Sequence, residues 1–166
     1  MDAAALAILA AATFPLACPP DAKPEAVADF IARHLTESNF DAYLADPARQ
    51  LFIAERGGVP SGYTMLVHGE PTDPDVVAAI TARPTVELSK FYLLASSHGT
   101  GLAMALMTAT LEAARAHGAA GVWLGVNNQN AKANRFYEKN GFVVVGTKKF
   151  LVGERWEDDF VRELVL

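Results

Sequence analysis

The stretch "SSHGTGLAMALM", Ser96 to Met107, follows the apolar run "FYLL" and sets two glycines at the mouth of a segment with helical spacing. A strand, a glycine turn and a helix start, in that order, can cradle an anion. Glycines let backbone N–H groups approach closely, and a helix N-terminus carries about half a positive charge. Taken alone, such a turn is more often a plain connector. No Gly-Lys-Ser/Thr follows, so it is not a Walker loop.

Working outward, "TVELSKFYLL" reads as the strand that feeds the turn. Gly101 to His117 reads as the helix that leaves it, with Leu102, Leu106, Ala109 and Ala113 on one face and Thr108, Glu112 and Arg115 on the solvated one. "GVWLGV" is a further strand. "NAKANRFYEKNGF" is a short helix with Asn130 placed to cap its start and Gly141 to end it. "FVVVGTKKFLV" and "WEDDFVRELVL" read as two strands that pair.

Upstream, Leu6, Leu9, Ala10 and Thr13 mark a core-packed first helix ended by Pro15 and the "CPPD" turn. A second helix runs from Pro24 or Glu25 to about His34, with Val27, Phe30, Ile31 and Leu35 sharing a face, and "NFDAYLADP" is a third, closed by Pro47. "QLFIAERGGVPSGYTMLVHG" is a hairpin turning over Gly57 to Gly62, and the proline-bounded insert after it holds a short helix around Asp75 to Thr81. The order implies one α/β domain over residues 1–166, with a mixed, mostly antiparallel sheet and helices on both faces.

The chain has 166 residues, 51% of them hydrophobic, enough for a core without staples. Its 14 basic against 19 acidic residues argue against a nucleic-acid surface. Cys18 is the single cysteine, which excludes an internal disulfide and makes a cytoplasmic setting the default. Leu16-Ala17-Cys18 has the look of a lipid-anchor signal, but Asp2 stands where positive charge is needed, Pro15 breaks the run, and the stretch is too short to span a bilayer. His34, His68 and His117 are scattered and suggest no metal site.

"HGTGLA" after a strand, followed by "NAKANRFYEKNGF", resembles the two acyl-CoA-binding motifs of the GNAT superfamily of N-acetyltransferases. The first motif is Gln/Arg-x-x-Gly-x-Gly/Ala. His98 departs from it, while Gly101 and Ala103 match. Asn130, Ala133, Tyr137, Gly141 and Phe142 meet the second, and order, spacing and strand-helix context strengthen both. The resemblance implies acetyl-CoA as cosubstrate, with its pyrophosphate at His98, Gly99, Thr100, Gly101, Leu102 and Ala103. It places Leu93, Leu94, Asn130 and Ala133 along the CoA arm. Capping is an equally complete account of Asn130, and solvation of Lys132 and Arg135, which otherwise reach phosphates.

An amine must attack a thioester uncharged, yet an alkylamine of pKa ~10.4 is neutral only about once in a few thousand at pH 7. The departing thiolate in turn gains from a proton donor. By the family pattern Tyr137 is that acid, its alternative being a core aromatic beside Phe136. Glu87, near the start of the strand before the turn, is the candidate base acting through water, its alternative a solvated strand carboxylate. Cys18, between prolines and without a His/Asp arrangement, is not expected to carry the acyl group.

From "VWLGV" onward the chain also resembles bacterial spermidine/spermine N-acetyltransferases, including the acidic "EDD" before the last strand. Asp158 and Asp159 either line a polycation groove or form a solvated turn, the latter being preferred. The family's usual first strand has no counterpart ahead of Ala3, so about six strands are expected, with an exposed first edge unless a partner or helix covers it. The expected reaction is acetyl transfer to a primary amine by direct attack, with a small amine or polyamine as acceptor and the enzyme a monomer or homodimer free of nucleic acid, membrane and metal. A protein N-terminus as acceptor, or a non-turnover acyl-CoA-binding module, are the alternatives.

Overall fold

Gly57 and Gly58 have φ of 57° and 79°, the left-handed pair that a two-residue hairpin turn requires. The hairpin is therefore tighter than the Gly57–Gly62 turn expected from sequence. β1 (Arg49–Arg56) turns directly into β2 (Val59–His68), and Pro60 and Gly62 lie inside that strand, where Ser61 is the extra residue of a bulge. The computed structural model describes residues 1–166. Before the hairpin come α1 (Ala3–Ala17), α2 (Pro24–His34) and α3 (Glu37–Ala45). After it come α4 (Pro74–Ala79), β3 (Thr85–Leu93), α5 (Leu102–Ala116), β4 (Gly121–Asn127), α6 (Ala131–Lys139), β5 (Val143–Val152) and β6 (Arg155–Val165).

The six strands form one sheet in the order β1-β2-β3-β4-β6-β5. Every neighbouring pair is antiparallel except β3 and β4, which run parallel. The strand count, the mixed pairing and the β5–β6 hairpin agree with the sequence reading. One core lies under α5 and α6, built on Leu66, Val86, Leu88, Met107, Val122 and Phe142. A second lies under the N-terminal helices around Leu6, Phe40, Tyr63 and Met65, so helices do cover both faces.

Two local readings are corrected. Pro15 does not end α1, because a proline in the last turn forfeits only its own N–H bond, and the Cys18 N–H still closes the turn on the Pro15 carbonyl. Ala109 is exposed, and the buried stripe of α5 is Leu106, Met107, Thr110, Leu111 and Ala114. Thr110 turns inward because its hydroxyl meets Thr64 Oγ1 at 2.9 Å, a buried polar pair that hydropathy spacing overlooks.

Two features of β3 shape the molecule. Lys90 pairs with Met65 and Leu88 with Leu66, which leaves Ser89 as an extra residue in a bulge. A one-residue insertion reverses side-chain alternation. Val86 and Leu88 therefore share a face with Phe91, while Glu87, Lys90 and Tyr92 come to the other. In addition, β3 and β4 pair only from Thr85↔Gly121 to Glu87↔Trp123 and then part. The sheet splits at the level of Glu87.

Buried Glu163 of β6 anchors the segment ahead of β3. Its carboxylate accepts from the Thr81 N–H at 2.9 Å, Thr81 Oγ1 at 2.8 Å and the Ala82 N–H at 3.0 Å. Glu163→Ala would strand these donors and is expected to lower unfolding free energy by about 2–3 kcal/mol, read as a lower urea midpoint at constant m. An unchanged midpoint would show that water replaces the carboxylate at no cost.

Candidate active site

The parted strands open a cleft of about 220 Å³ lined by Leu88–Tyr92 of β3, Gly125–Asn127 of β4, Tyr137 of α6 and residues of α1, α2, β5 and β6. A second cavity of about 180 Å³ adjoins it, reaching from Leu93 to His98 and Gly99 at the glycine turn and to Lys132 of α6. Phe91, Tyr92, Asn130, Ala133 and Tyr137 line both.

At the turn, Gly99 and Gly101 have φ of 76° and 84°, and a Cβ at either would meet no protein atom. α5 starts from Gly101 without a side-chain cap. Thr100 Oγ1 donates to the Ser97 carbonyl at 2.6 Å and accepts weakly from the Leu102 N–H. The N–H groups of Gly99, Thr100, Gly101, Ala103 and Met104 find no protein acceptor, and Ser97 Oγ is enclosed without a partner. Free donors converging on a helix start suit an anion with several oxygens. Lys132 Nζ donates to His98 Nδ1 at 2.7 Å, which ties the α6 start to the turn and places positive charge beside it.

Asn130 caps α6 as expected, its Oδ1 accepting from the Ala133 N–H at 3.1 Å, while its Nδ2 keeps no protein acceptor. Leu93 lines the second cavity, and Ala133 borders both. Leu94 does not join them: it packs against the core under α1–α3, and its N–H donates to the Ser61 carbonyl at 2.9 Å. Thr100, Gly101, Leu102 and Ala103 stand on the rim beyond the cavity lining.

Tyr137 is buried, ringed edge-on by Phe91, Phe136 and Phe142. Its hydroxyl makes no protein hydrogen bond, the residue lines both cavities, and burial raises its pKa well above the usual phenol value. α6 is held in place by Arg162 of β6, which donates to Asn134 Oδ1 at 3.0 Å and the Phe142 carbonyl at 2.8 Å. Asn134 Nδ2 in turn donates to the carbonyls of Asn127 and Asn130.

Glu87 lines the larger cavity at the point where the strands part. Desolvation raises its pKa, and the positive charges of Lys148, Lys90 and Arg49 partly oppose that. Lys90, carried to the same face by the bulge, is pushed down to about 8 by burial. The "EDD" acids are not a turn: all three lie within β6, Asp158 exposed and ion-paired with Lys149, Asp159 buried with Lys148 Nζ at 3.9 Å. Burial lifts Asp159 to about 6. Lys90 in the cleft, and Asn134 and Arg162 behind it, had no motif to single them out, whereas Glu157 and Asp159 stood in the "EDD" that the sequence reading preferred as a solvated turn. The alternation of "KKF" against "EDD" in two pairing strands was the one available signal.

Outside the cleft, His68 and His117 are brought together with ring centroids 3.7 Å apart, although they are distant in sequence. Cys18, by contrast, lines the larger cavity, its Sγ donating to the Phe14 carbonyl, and burial pushes its thiol to about 11, far from a neutral-pH thiolate. No helix is long and apolar enough to cross a membrane.

The family model for the acetyltransferase (GNAT) family matches residues 14–142, and the chain belongs to that family. It is 47% identical over 166 residues to an uncharacterised N-acetyltransferase of Mycobacterium tuberculosis, with 99% of each chain covered. The PaiA N-acetyltransferase of Thermoplasma acidophilum, solved in complex with coenzyme A, shares the fold at TM-score 0.75 and 18% identity, covering 99% of this chain and 93% of that one. The spermidine/spermine N-acetyltransferase of Vibrio cholerae shares it at TM-score 0.58 and 20% identity, over 78% of this chain and 71% of the other.

Proposed function

We propose that the protein transfers the acetyl group of acetyl-CoA to a small primary amine by direct attack. The observation that carries this reading is the meeting of two cavities at Tyr137. One runs to the free N–H groups of the glycine turn, and the other holds Glu87. The turn takes the pyrophosphate and the cavity along Leu93 and Ala133 takes the arm, so that the thioester arrives where the cavities join. That the Thermoplasma enzyme of the same fold was solved in complex with coenzyme A supports coenzyme A as the ligand.

Glu87, through water, accepts the proton that the attacking amine sheds. The nitrogen forms its bond to the acetyl carbon, the carbon–sulfur bond breaks, and Tyr137 protonates the departing thiolate. A phenol held protonated by burial keeps that proton across the working pH range. Among small amines, the likeness of the C-terminal half to spermidine/spermine enzymes and the Vibrio structure favour a polyamine, whereas the ion-paired acids of the cleft, Glu157 with Arg155 and Asp159 with Lys148, weigh against one. Thiol release from acetyl-CoA across a panel of amines tests the reading, and no release with any of them would leave only an acyl-CoA-binding module.

Glu87→Gln is expected to move the alkaline-rising limb of the pH–rate profile upward. Only the carboxylate form of Glu87 can take the amine's proton, so the wild-type rate climbs as this group deprotonates, at a pH that burial pushes up. Without it the limb follows the amine itself. An unchanged profile and rate would make Glu87 a bystander.

A further inference from the structure

The larger cavity has a wall that amine transfer alone does not need. Phe14 of α1, Phe30 of α2 and Phe150 of β5 line it together with Leu35 and Val152. Phe14 and Phe30 stack with centroids 4.5 Å apart and planes at 6°, and Phe30 meets Phe150 at 5.5 Å and 60°. Three elements remote in sequence thus deliver one aromatic surface to the cleft. Phe30 and Phe150 are only half-buried, and His34 packs tilted against Phe30 with ring centroids 4.7 Å apart. Lys148 Nζ already stands 5.4 Å from the Phe150 centroid, so the cation seat on that ring is taken and what remains there is apolar.

The charges of the cleft argue in the same direction. A polyamine calls for a row of unanswered carboxylates. Here Glu157 is 2.9 Å from Arg155 Nε, Asp159 is 3.9 Å from Lys148, and Glu87 sits in the positive field of Lys148, Lys90 and Arg49. The outer acids Asp21 and Asp158 are paired with Arg155 and Lys149. The cleft's volume of about 220 Å³ exceeds the roughly 150 Å³ that suffices for a benzene-sized body.

Resting on the proposed acetyl transfer, we infer that the acceptor is a monoamine carried on an aromatic body, its ring against Phe30 and Phe150 and its amino group at Glu87 and Tyr137. The test is thiol release from acetyl-CoA with 2-phenylethylamine, butylamine and spermidine, for the wild type, Phe30→Ala and Phe150→Ala, each checked for folding by circular dichroism. The wild type is expected to favour 2-phenylethylamine in kcat/KM by about tenfold or more over either other amine. Each variant should cut the 2-phenylethylamine-to-butylamine ratio about tenfold, chiefly through KM. Phe150 lies on an edge strand, so its variant keeps the test alive if Phe30→Ala does not fold. A preference for spermidine, or a ratio unmoved in both variants, overturns the inference and leaves acetyl transfer standing. No release with any amine, while calorimetry still detects coenzyme A binding, overturns the transfer itself and the inference with it.

Discussion

Tyr137→Phe is expected to slow single-turnover acetyl transfer by ~10²–10⁴-fold with a nearly unchanged Tm. The substitution separates packing from chemistry because the structure keeps the two apart on this side chain. The ring packs edge-on against Phe91, Phe136 and Phe142, with centroids 6.2, 5.8 and 5.8 Å away, and phenylalanine retains those contacts. The hydroxyl bonds to no protein group, so its removal leaves no buried partner unsatisfied. What is lost is a proton donor at the junction of the two cavities. Single-turnover conditions matter, since slow product release would hide a loss in the chemical step. Tyr92 lines both cavities as well and is likewise raised by burial, so Tyr92→Phe is the natural companion. If Tyr137→Phe kept full single-turnover activity and Tyr92→Phe lost it, the acid would be Tyr92 and Tyr137 a core aromatic.

Gly101→Glu is expected to weaken coenzyme A binding by about a hundredfold, roughly 2.7 kcal/mol, in isothermal calorimetry. Two effects combine. At φ of 84° any side chain is strained by about 1–2 kcal/mol, which favours a relaxed turn whose N–H groups no longer converge on the anion, so that binding must restore the strain. A carboxylate beside the free N–H groups of Gly99, Thr100, Ala103 and Met104 would also compete with, and repel, a pyrophosphate. Gly101→Ala carries the strain without the charge and should fall between wild type and Gly101→Glu. Equal affinity in all three folded proteins would move the pyrophosphate away from this turn.

The elements that sequence reveals best are those whose information is local. Asn130 could be read as a cap because a side-chain amide three residues ahead of an N–H satisfies it whatever the rest of the chain does, and the Asn130–Ala133 bond is there. The glycine turn was legible for the same reason, since positive φ is a property of one residue. Pro15 and the Gly57–Gly62 turn were misjudged where local rules allow more than one outcome. A proline in a last helical turn is tolerable, and two glycines suffice for a turn that the whole Gly57–Gly62 stretch could also have made.

The site divides along the same line. Sequence by itself determined the order of elements, the six strands, the strand-glycine-helix cradle and the placing of Tyr137 on the helix that follows β4. Each depends on periodicity and backbone preference within a few residues. Only the tertiary structure decided that Ser89 bulges, so that Glu87 and Lys90 share a face, and that β3 and β4 part after Glu87 and Trp123. It alone turned Asp159 from a presumed solvated turn into a buried strand carboxylate beside Lys148, and brought Phe14, Phe30 and Phe150 to one wall. Strand register and convergence are set by the best simultaneous packing of both faces of the sheet, a sum over residues far apart in the chain that no local window contains.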